Sequence, residues 1–333
     1  MKSVLITGGL GFVGSHLADR LLRDGCRVTI VDNCQTNAVE PSAFLPRCAV
    51  LVEKIESAAP KLLKSNCESQ FDEIYHLASI VGPAGVLEYA GEIATSVIES
   101  ADAAVALALD HNAKLIVAST SEVYGRSGNL NEGLDCIISP DVTVRLEYAA
   151  AKLTSEIAVI NKAKVSPLQV NVVRPFNISG PRQLPDGGFV LPRFVVSALT
   201  GQPLTVFGDG TQIRAFTDVR DIVSGLLATM RSGHVGSVFN LGNPANEISI
   251  LELAREVKRI ADSKSEITLV DPKQLFGDLY EEGIERVPDA SKALRELNWQ
   301  PQFTLAQTIL DTLEYFRQNP SLIKTPRLES AVS

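Results

Sequence analysis

The sequence predicts a doubly wound α/β fold, in which helices cover both faces of a parallel sheet. Short runs of apolar, often β-branched residues recur through the first half of the chain, and segments of helical periodicity lie between them. Strands that are apolar almost throughout are typical of a parallel sheet buried on both faces. The alternation of strands and helices indicates right-handed crossover connections between parallel strands.

Six strands and three helices carry this pattern in the first half of the chain. The predicted strands are Val4–Thr7, Arg27–Asp32, Ala49–Val52, Glu73–Leu77, Lys114–Ser119 and Val170–Arg174. The predicted helices between them are Phe12–Asp24, Ile93–His111 and Tyr148–Lys164. These helices connect the first strand to the second, the fourth to the fifth and the fifth to the sixth.

The second half has a different composition, because prolines and glycines become frequent after Arg174. Its predicted helices and strands are Leu191–Thr200, Val219–Arg231, Ile250–Ala261, Leu305–Phe316, Leu204–Phe207 and Val238–Leu241. We therefore expect a sheet domain over 1–175 and a smaller, mixed α/β substrate-binding lobe over 176–318, with room for some lobe segments to return to the sheet. Residues 319–333 are expected to form a flexible tail. A ligand cleft should lie between the lobes, at the carboxyl ends of the strands.

Composition and charge exclude several classes of function. Acidic residues outnumber basic ones by 39 to 31, which argues against a nucleic-acid partner or an anionic membrane surface. No apolar run reaches the ~18 residues of a membrane span, and the chain begins with a strand in place of a signal peptide. The five scattered cysteines lack the spacing of a metal site. We expect a cytoplasmic protein without a metal ion.

A glycine-rich turn follows the first predicted strand and opens the first helix. Gly8 permits the tight turn, Gly11 lets backbone amides approach a pyrophosphate, and Gly14 permits close packing of helix on sheet. The helix N-terminus favours the phosphates. Asp32 ends the second strand, where a carboxylate holds an adenosine ribose and repels a 2′-phosphate, and Asn33 supplies no basic replacement. The sequence therefore predicts a Rossmann domain that binds NAD in preference to NADP.

A tyrosine and a lysine stand one helical turn apart, at Tyr148 and Lys152. A lysine ammonium beside a phenol lowers the pKa of the phenol, which would make Tyr148 a general base. Hydroxyl and carboxyl groups collect at Ser119–Glu122, at the carboxyl end of the fifth strand. Plainer interpretations stay open: a surface lysine beside a packed tyrosine, and a strand-end turn at Thr120.

These motifs resemble the extended short-chain dehydrogenase/reductase family of NAD-dependent nucleotide-sugar epimerases, dehydratases and decarboxylases. The resemblance extends from Val4 to about Phe316. The matching segments are Gly8–Gly14, His76–Ser79, Ser119–Gly125, Tyr148–Lys152, Arg174–Arg182, Gly208–Phe216 and Arg286–Asp289.

The resemblance implies a reaction that begins with oxidation of a sugar hydroxyl at C4. Tyr148 would take the hydroxyl proton with help from Thr120, and Lys152 would lower the Tyr148 pKa and hold the nicotinamide ribose. In the lobe, Asn177 and Arg214 would bind the diphosphate of a UDP-sugar, and Phe207 would pack on the base. The implied NAD contacts are Gly8, Gly11, Phe12, Val13, Asp32, Asn33, Leu77, Ala78, Ser119, Tyr148 and Lys152.

The residues after the catalytic threonine distinguish the reactions of this family. A dehydratase of the family has an Asp-Glu pair there, whereas this chain has Ser121 and Glu122. Thr120-Ser121-Glu122 resembles the Thr-Ser-Glu signature of UDP-glucuronate decarboxylases, which include UDP-xylose synthase. The resemblance implies that Glu122 positions water or the sugar. An epimerase needs no further acid or base, which would leave Glu122 without a required role.

Two further features resemble the decarboxylases. Arg145 stands three residues before Tyr148, and Tyr280 and Arg286 have the spacing of substrate contacts in the decarboxylase domain of lipid A aminoarabinose synthesis. Arg286 would be the acid near C5 or the anchor of the substrate carboxylate.

The favoured reaction is therefore decarboxylation of UDP-glucuronate to UDP-xylose or a UDP-4-keto-pentose. A UDP-sugar 4-epimerase stays open (UDP-glucose/galactose or UDP-glucuronate/galacturonate), as do an inactive NAD-binding relative and a dehydrogenase that releases a ketone.

The predicted helices Ile93–His111 and Tyr148–Lys164 are rich in alanine and other small apolar residues. In the family that the chain resembles, the corresponding helices pair across a two-fold axis as a four-helix bundle. The resemblance therefore implies a homodimer, and the alternative is that these faces cover only their own sheet.

Overall fold

The structure, a computed structural model, describes residues 1–66, 70–125, 130–136, 142–271 and 285–323. Its strands are β1 (Ser3–Thr7), β2 (Arg27–Asp32), β3 (Ala49–Val52), β4 (Glu73–His76), β5 (Lys114–Ala118), β6 (Gln169–Pro175), β7 (Ile178–Ser179), β8 (Leu204–Phe207), β9 (Ile213–Ala215), β10 (Thr217–Asp218), β11 (Val238–Leu241), β12 (Glu247–Ser249), β13 (Ile267–Val270) and β14 (Glu285–Arg286). Its helices are α1 (Phe12–Arg23), α2 (Ile55–Leu62), α3 (Gly82–Glu88), α4 (Ile93–His111), α5 (Val144–Val165), α6 (Val190–Thr200), α7 (Val219–Arg231), α8 (Ile250–Ala261), α9 (Ser291–Leu297) and α10 (Leu305–Gln318).

A seven-stranded parallel sheet forms the centre of the molecule, with the order β11-β6-β5-β4-β1-β2-β3. Strand β1 lies between β2 and β4, where Leu5 faces Thr29 on one side and Ile74 on the other. The chain reverses its direction of winding between β1 and β4. Open α/β sheets bind ligands at the carboxyl ends of strands at such a switch point. The predicted doubly wound α/β class is confirmed.

Two apolar layers cover the faces of the sheet. Side chains of α1 and α7, such as Leu17 and Leu226, pack in one layer, and side chains of α2, α4 and α5, such as Ala58, Leu107 and Val159, pack in the other. All five are buried. Fully burying a leucine contributes about 1.5–3 kcal/mol. The second of these layers fixes the C-terminal half of α5 against the sheet.

The lobe has a separate apolar core. Helices α6, α8 and α10 surround it, and the parallel pair β8 and β13 lies against them. A three-stranded sheet with the order β12-β9-β14 is mixed, since β12 runs antiparallel and β14 parallel to β9. Strand β11 and helix α7 return to the central sheet, where β11 pairs with β6. The boundary near residue 175 and the tail remain predictions.

Helix α5 begins at Val144, earlier than the predicted start at Tyr148. Thr143 caps it, because its hydroxyl accepts a hydrogen bond from the amide of Leu146 at 3.2 Å. This cap adds a full turn to the helix before Tyr148. Arg145 consequently lies on the same helix as Tyr148, at a spacing of three residues, and its side chain reaches the same edge of the sheet.

Candidate active site

The predicted catalytic side chains meet where β5 ends and α5 passes across the sheet edge. Tyr148 and Lys152 are buried, at 9% and 5% exposure. The ammonium of Lys152 donates a hydrogen bond to the carbonyl of Ala118, the last residue of β5, at 2.9 Å. A hydrogen bond joins the side chains of Thr120 and Tyr148. The structure thus brings Thr120, Tyr148 and Lys152 together, as the sequence predicts.

The pKa of the tyrosine differs from the prediction. Burial raises the pKa of Tyr148 above its ordinary value, the hydrogen bond with Thr120 lowers it, and the charge of Glu122 raises it further. Burial is the larger effect because the ring packs among apolar side chains, including Val86 and Val97. Tyr148 is therefore a neutral phenol at neutral pH in the protein alone. A general base at this position needs an added positive charge nearby.

A carboxylate between two arginines lies next to this group. Thr120 caps a short 3₁₀ helix, Ser121–Tyr124, by accepting a hydrogen bond from the amide of Glu122 at 3.2 Å. The Glu122 carboxylate accepts two hydrogen bonds from Arg145, at 2.5 and 2.9 Å, and one from Arg286 at 3.0 Å. Bidentate arginine–carboxylate contacts of this kind are strong and directional. Glu122 is held in one orientation beside Thr120.

The electrostatics of Glu122 follow from its neighbours. Burial acts to raise its pKa, but the charges of Arg145, Arg286 and Arg214 and a hydrogen bond from Arg145 outweigh burial and lower the pKa to about 2. Glu122 is therefore ionised at neutral pH, and it accepts hydrogen bonds without donating a proton. Three arginines thus act on one carboxylate, and the local charge is positive.

Two of the arginines that act on Glu122 belong to the small mixed sheet of the lobe. Arg214 and Arg286 pair on β9 and β14 and are 8% and 5% exposed. Arg286 also donates a hydrogen bond to the carbonyl of Ser121 at 2.7 Å. The Asn177 side chain donates to the carbonyls of Ala215 and Arg286, at 3.1 and 3.3 Å, and so holds both strands. The contact of Asn177 with a phosphate remains a prediction, and Tyr280 lies outside the described residues.

An arginine that the sequence did not indicate lies behind the predicted base-binding residue. Phe207 ends β8 and is half-buried. The guanidinium of Arg193, on α6, lies 4.3 Å from the centroid of its ring and donates a hydrogen bond to the Thr205 carbonyl at 2.8 Å. A cation over an aromatic face contributes about 0.5–2 kcal/mol. Arg193 therefore fixes the orientation of Phe207 at the end of the strand.

The glycine turn has the close contacts that its residues predict. Gly8 has a φ of +70°, and a Cβ atom there would lie 2.8 Å from the amide nitrogen of Ala78. A Cβ atom on Gly14 would lie 2.0 Å from the Gly8 carbonyl oxygen. Gly11 is the N-cap residue just before α1 and has no side chain to cap the helix. The amides of Phe12 and Val13 in the first turn therefore have no side-chain partner from the cap. This geometry fits a dinucleotide pyrophosphate.

The ribose end of the predicted NAD site is also ordered. Asp32 is buried, and its two carboxylate oxygens accept hydrogen bonds from the amides of Leu10 and Cys34, at 2.9 and 2.8 Å. Each oxygen has a second lone pair that a ribose hydroxyl could use. Asn33 is exposed, and its side chain binds Gln35. The residues present fit NAD.

A threonine and a histidine beneath the turn were not among the predicted site residues. The Thr7 hydroxyl accepts a hydrogen bond from the amide of Ala78 at 3.2 Å and bonds Nδ1 of His76 at 2.9 Å. The amide of Leu77 donates to the Thr7 carbonyl at 3.2 Å. The sequence signal for this arrangement is the position of Thr7 and His76 at the carboxyl ends of neighbouring strands. The contact fixes Leu77 and Ala78 against Gly8.

Ser119, at the carboxyl end of β5, is a further residue of the predicted NAD site. Its amide donates a hydrogen bond to the Val173 carbonyl at 2.8 Å, which keeps it within the sheet. Its side-chain oxygen is buried and has no hydrogen-bond partner among the described residues. Buried hydroxyls are normally satisfied, so an additional polar group is expected at this point. The predicted NAD contact at Ser119 agrees with this geometry.

Two further properties concern the whole of the described chain. No helix among the described residues is long and apolar enough to cross a membrane. Within the same residues, no group of three or more histidine, cysteine, aspartate or glutamate side chains could hold a metal ion.

Comparisons with known proteins relate the chain to enzymes of nucleotide-sugar metabolism. Residues 4–242 match the model of the NAD dependent epimerase/dehydratase family. A UDP-N-acetyl-alpha-D-glucosaminuronate decarboxylase of Bacillus cytotoxicus is 34% identical over 320 residues, covering 95% of this chain and 98% of that protein. UDP-glucuronic acid decarboxylase 1 of Xenopus tropicalis is 36% identical over 324 residues, covering 95% of this chain and 72% of that protein.

A solved structure gives the same relationship in three dimensions. The crystal structure of UDP-glucuronic acid 4-epimerase from Bacillus cereus, in complex with UDP-glucuronic acid and NAD, is similar with a TM-score of 0.80. The two sequences are 28% identical, and the match covers 95% of this chain and 99% of that one. The similarity therefore includes both the sheet domain and the lobe.

Proposed function

Because the chain belongs to the NAD dependent epimerase/dehydratase family, we propose that it decarboxylates UDP-glucuronate to UDP-xylose or a UDP-4-keto-pentose. The observation that carries this proposal is the position of Glu122 between Arg145 and Arg286, with Arg214 close by. Three arginines around one carboxylate leave an excess of positive charge beside the catalytic threonine. That excess suits a sugar that itself carries a carboxylate.

The first step is oxidation of the C4 hydroxyl. When bound at the Gly8–Gly14 turn and Asp32, NAD⁺ would supply the hydride acceptor and a positive charge. Tyr148 accepts the hydroxyl proton, and Thr120, which is hydrogen-bonded to Tyr148, orients that hydroxyl. Lys152, one helical turn after Tyr148, is anchored on the Ala118 carbonyl and adds positive charge to the site. Added positive charge opposes the effect of burial, so the pKa of Tyr148 should be lower when NAD⁺ is bound.

The second step is loss of CO₂ from C5. A ketone at C4 makes the sugar carboxylate a β-keto acid, so the C5–C6 bond breaks and its electron pair passes to the ketone as an enolate. Arg286 is fixed by the Ser121 carbonyl and by Glu122, a geometry that supports an anchoring role for it on the carboxylate. Glu122, with a pKa of about 2, orients Arg145 and Arg286. A water molecule then protonates C5.

The nucleotide end of the substrate would lie in the lobe. Phe207, held from behind by Arg193, presents its ring to the uracil base. The charge of Arg214 lowers the pKa of Glu122, and the same charge would attract the diphosphate. The substrate would thus extend from β8 to the end of β5. This direction places its sugar next to Thr120 and Tyr148.

A homodimer through α4 and α5 belongs to the same proposal. Helix α5 exposes Ile157 and Val165, which are 54% and 82% exposed, on the side away from the sheet. Ala158, one residue after Ile157, is also exposed. Helices α4 and α5 lie in contact with each other, so two copies could form a four-helix bundle. Sedimentation of the purified chain tests this part independently of catalysis.

A 4-epimerase is the second candidate, favoured by the similarity to the Bacillus cereus enzyme. Purified protein with NAD⁺ and UDP-glucuronate, UDP-N-acetylglucosaminuronate or UDP-glucose distinguishes the two, with products read by mass spectrometry and NADH by absorbance. Loss of the mass of CO₂ from UDP-glucuronate establishes decarboxylation, and accumulated NADH shows release of the ketone. An isomer of unchanged mass establishes the epimerase and contradicts the decarboxylase. Loss of CO₂ from UDP-N-acetylglucosaminuronate alone would show that this compound, and not UDP-glucuronate, is the substrate.

A further inference from the structure

A buried ion pair lies directly behind the catalytic face of α5. Glu156 is one helical turn after Lys152 and is 2% exposed. Its carboxylate accepts hydrogen bonds from Arg174 on β6, from Nε at 3.0 Å and from Nη2 at 2.6 Å. Residues four apart face the same side of a helix. The carboxylate is therefore fixed between the sheet and α5, on the side of the helix that carries Lys152.

The same arginine connects this pair to the turn that holds Thr120. The Arg174 guanidinium lies 4.8 Å from the centroid of the Tyr124 ring. Tyr124 ends the 3₁₀ helix that Thr120 caps, and its hydroxyl donates a hydrogen bond to Asn240 at 2.8 Å. The ion pair thus contacts α5, β6 and the catalytic turn at once.

Stability is a weak explanation for a charged pair at this position. Removing two charges from water costs several kcal/mol per ion, and apolar replacements of buried pairs are often neutral or stabilising. The side chains of Arg174 and Glu156 are 7% and 3% exposed, so most of this cost applies. The effect of these charges on neighbouring titratable groups is therefore a better explanation for the pair than stability.

Lys152 is the titratable group that Glu156 influences. Burial lowers the pKa of Lys152 to about 8, and the charge of Glu156 opposes that effect. The other titratable groups near it are His76 on β4 and Tyr148 on α5, while β5 contributes the Ala118 carbonyl. Burial and the charge of Lys152 lower the pKa of His76 to about 3, so His76 is neutral, and Tyr148 is protonated. Glu156 is therefore the negatively charged group that acts on Lys152.

We propose that Glu156, fixed by Arg174, is a positioning residue that keeps Lys152 charged beside Tyr148. The proposal rests on the function of Lys152 given above. The carboxylate is buried and paired with Arg174, and it acts through the ammonium one turn away. Arg174 binds both carboxylate oxygens of Glu156, and the Lys152 ammonium binds the Ala118 carbonyl, so each charge is held by a partner of its own.

The test is the pH dependence of Glu156→Gln. The amide keeps the shape of the side chain and removes its charge, so the pKa of Lys152 should fall by about one unit. Decarboxylation should then be close to wild type near pH 6.5 and should fall roughly tenfold near pH 8.5. A loss of kcat/KM by the same factor at both pH values, together with an unchanged Lys152 pKa, would show a role in packing alone and would overturn the proposal.

A second readout does not depend on activity. Titration of ¹³C-labelled lysine by NMR, with the Lys152 resonance assigned through Lys152→Arg, measures the lysine pKa directly. An unchanged Lys152 pKa in Glu156→Gln overturns the proposal. A lowered lysine pKa without a change in the pH profile supports this inference and places the failure in the catalytic function assigned to Lys152.

Two variants serve as controls. Glu73→Gln removes another buried, ion-paired carboxylate, at the amino end of β4 and paired with Lys2, and should leave the Lys152 pKa unchanged. The double variant Glu156→Gln with Arg174→Gln avoids an unpaired buried guanidinium and should still show the lowered lysine pKa. A shift in Glu73→Gln, or its absence in the double variant, would overturn the proposal.

Discussion

Arg214 and Arg286 stand opposite each other on the neighbouring parallel strands β9 and β14. Paired residues of adjacent strands present their side chains on the same face of a sheet. Both guanidinium groups therefore act on Glu122 from the lobe, whereas Arg145 approaches it from α5. Burial acts to raise the pKa of Glu122, yet these charges bring it to about 2. The Glu122 carboxylate thus connects the lobe to α5 through hydrogen bonds. Substitutions of Glu122 and of the arginines around it therefore test the proposed reaction.

Arg145→Met should weaken binding of the sugar carboxylate. The Arg145 side chain is 28% exposed while it is bound to Glu122, so substrate can reach it. Hydrogen bonds between charged groups contribute about 1.5–3 kcal/mol, so the Kd for UDP-glucuronate should rise roughly 10- to 100-fold. The Kd for UDP, which lacks the carboxylate, should stay unchanged. Isothermal titration calorimetry with both ligands measures the two values.

The matched control for that experiment is Arg255→Met, which removes an exposed arginine of α8 that pairs with Glu252. It should change neither Kd. Equal weakening of UDP and UDP-glucuronate by Arg145→Met would show that Arg145 acts on the fold of the site and not on the carboxylate.

Glu122→Gln should separate oxidation from decarboxylation. The amide releases the two arginines from a fixed carboxylate but leaves Thr120, Tyr148 and Lys152 in contact. We expect NADH to form in a single turnover at near wild-type extent, and CO₂ loss to slow about 100-fold, since misplacing a positioning group has effects of that order. Stopped-flow absorbance with product mass spectrometry follows both events.

Thr120→Val is the comparison variant for Glu122→Gln, because it removes the hydroxyl bonded to Tyr148. Both oxidation and CO₂ loss should fall together in this protein. A Glu122→Gln protein that also loses NADH formation would contradict the division of roles between the carboxylate and the hydroxyls.

The sequence predicts those parts of the site that arise from local patterns. Tyr148 and Lys152 share a helix face, and Thr120 follows a buried strand, so short spacings are sufficient to place them. The partners of Glu122 are different, because Arg286 comes from a strand of two residues that has no readable periodicity. The stacking of Arg193 on Phe207 likewise depends on how α6 packs on β8. Such contacts are set by tertiary packing.

Gly11→Ala should reduce NAD binding without unfolding the protein. A Cβ atom there would meet only the Gly8 carbonyl oxygen, at 3.3 Å, so the turn can accommodate it with a small shift. The methyl group would nevertheless occupy the approach to the amides of α1. We expect an increase of about tenfold or more in the Kd for NAD, with little change in Tm.

Gly14→Ala provides the contrast, because its Cβ atom would lie 2.0 Å from the Gly8 carbonyl oxygen. This variant should lose several kcal/mol of stability, as overpacked positions do. Fluorescence titration with NAD and thermal unfolding distinguish the two. Normal NAD affinity in Gly11→Ala would contradict the assignment of the pyrophosphate to this turn.

Stability should decrease in mild acid because of His76. Burial and the charge of Lys152 lower its pKa to about 3 in the folded protein, against about 6.5 in the unfolded chain. The neutral ring forms a hydrogen bond with the Thr7 hydroxyl, and the contribution of the neutral form to stability is complete above pH 6.5. Below that pH the unfolded state binds the proton first, and the stabilisation is lost as the pH falls from about 6.5 towards 3. The loss due to this histidine should be about 2 kcal/mol at pH 5.

Urea unfolding of the wild type and of His76→Asn at about pH 7 and about pH 5 measures this contribution. The asparagine oxygen can replace Nδ1 as an acceptor for the Thr7 hydroxyl but does not titrate. The free energy of unfolding of the variant should therefore depend less on pH, by about 2 kcal/mol over that range. The comparison isolates His76, since His16, whose pKa burial lowers to about 4, is present in both proteins. Parallel pH dependence of the two proteins would show that His76 is not buried in its neutral form beneath the NAD turn.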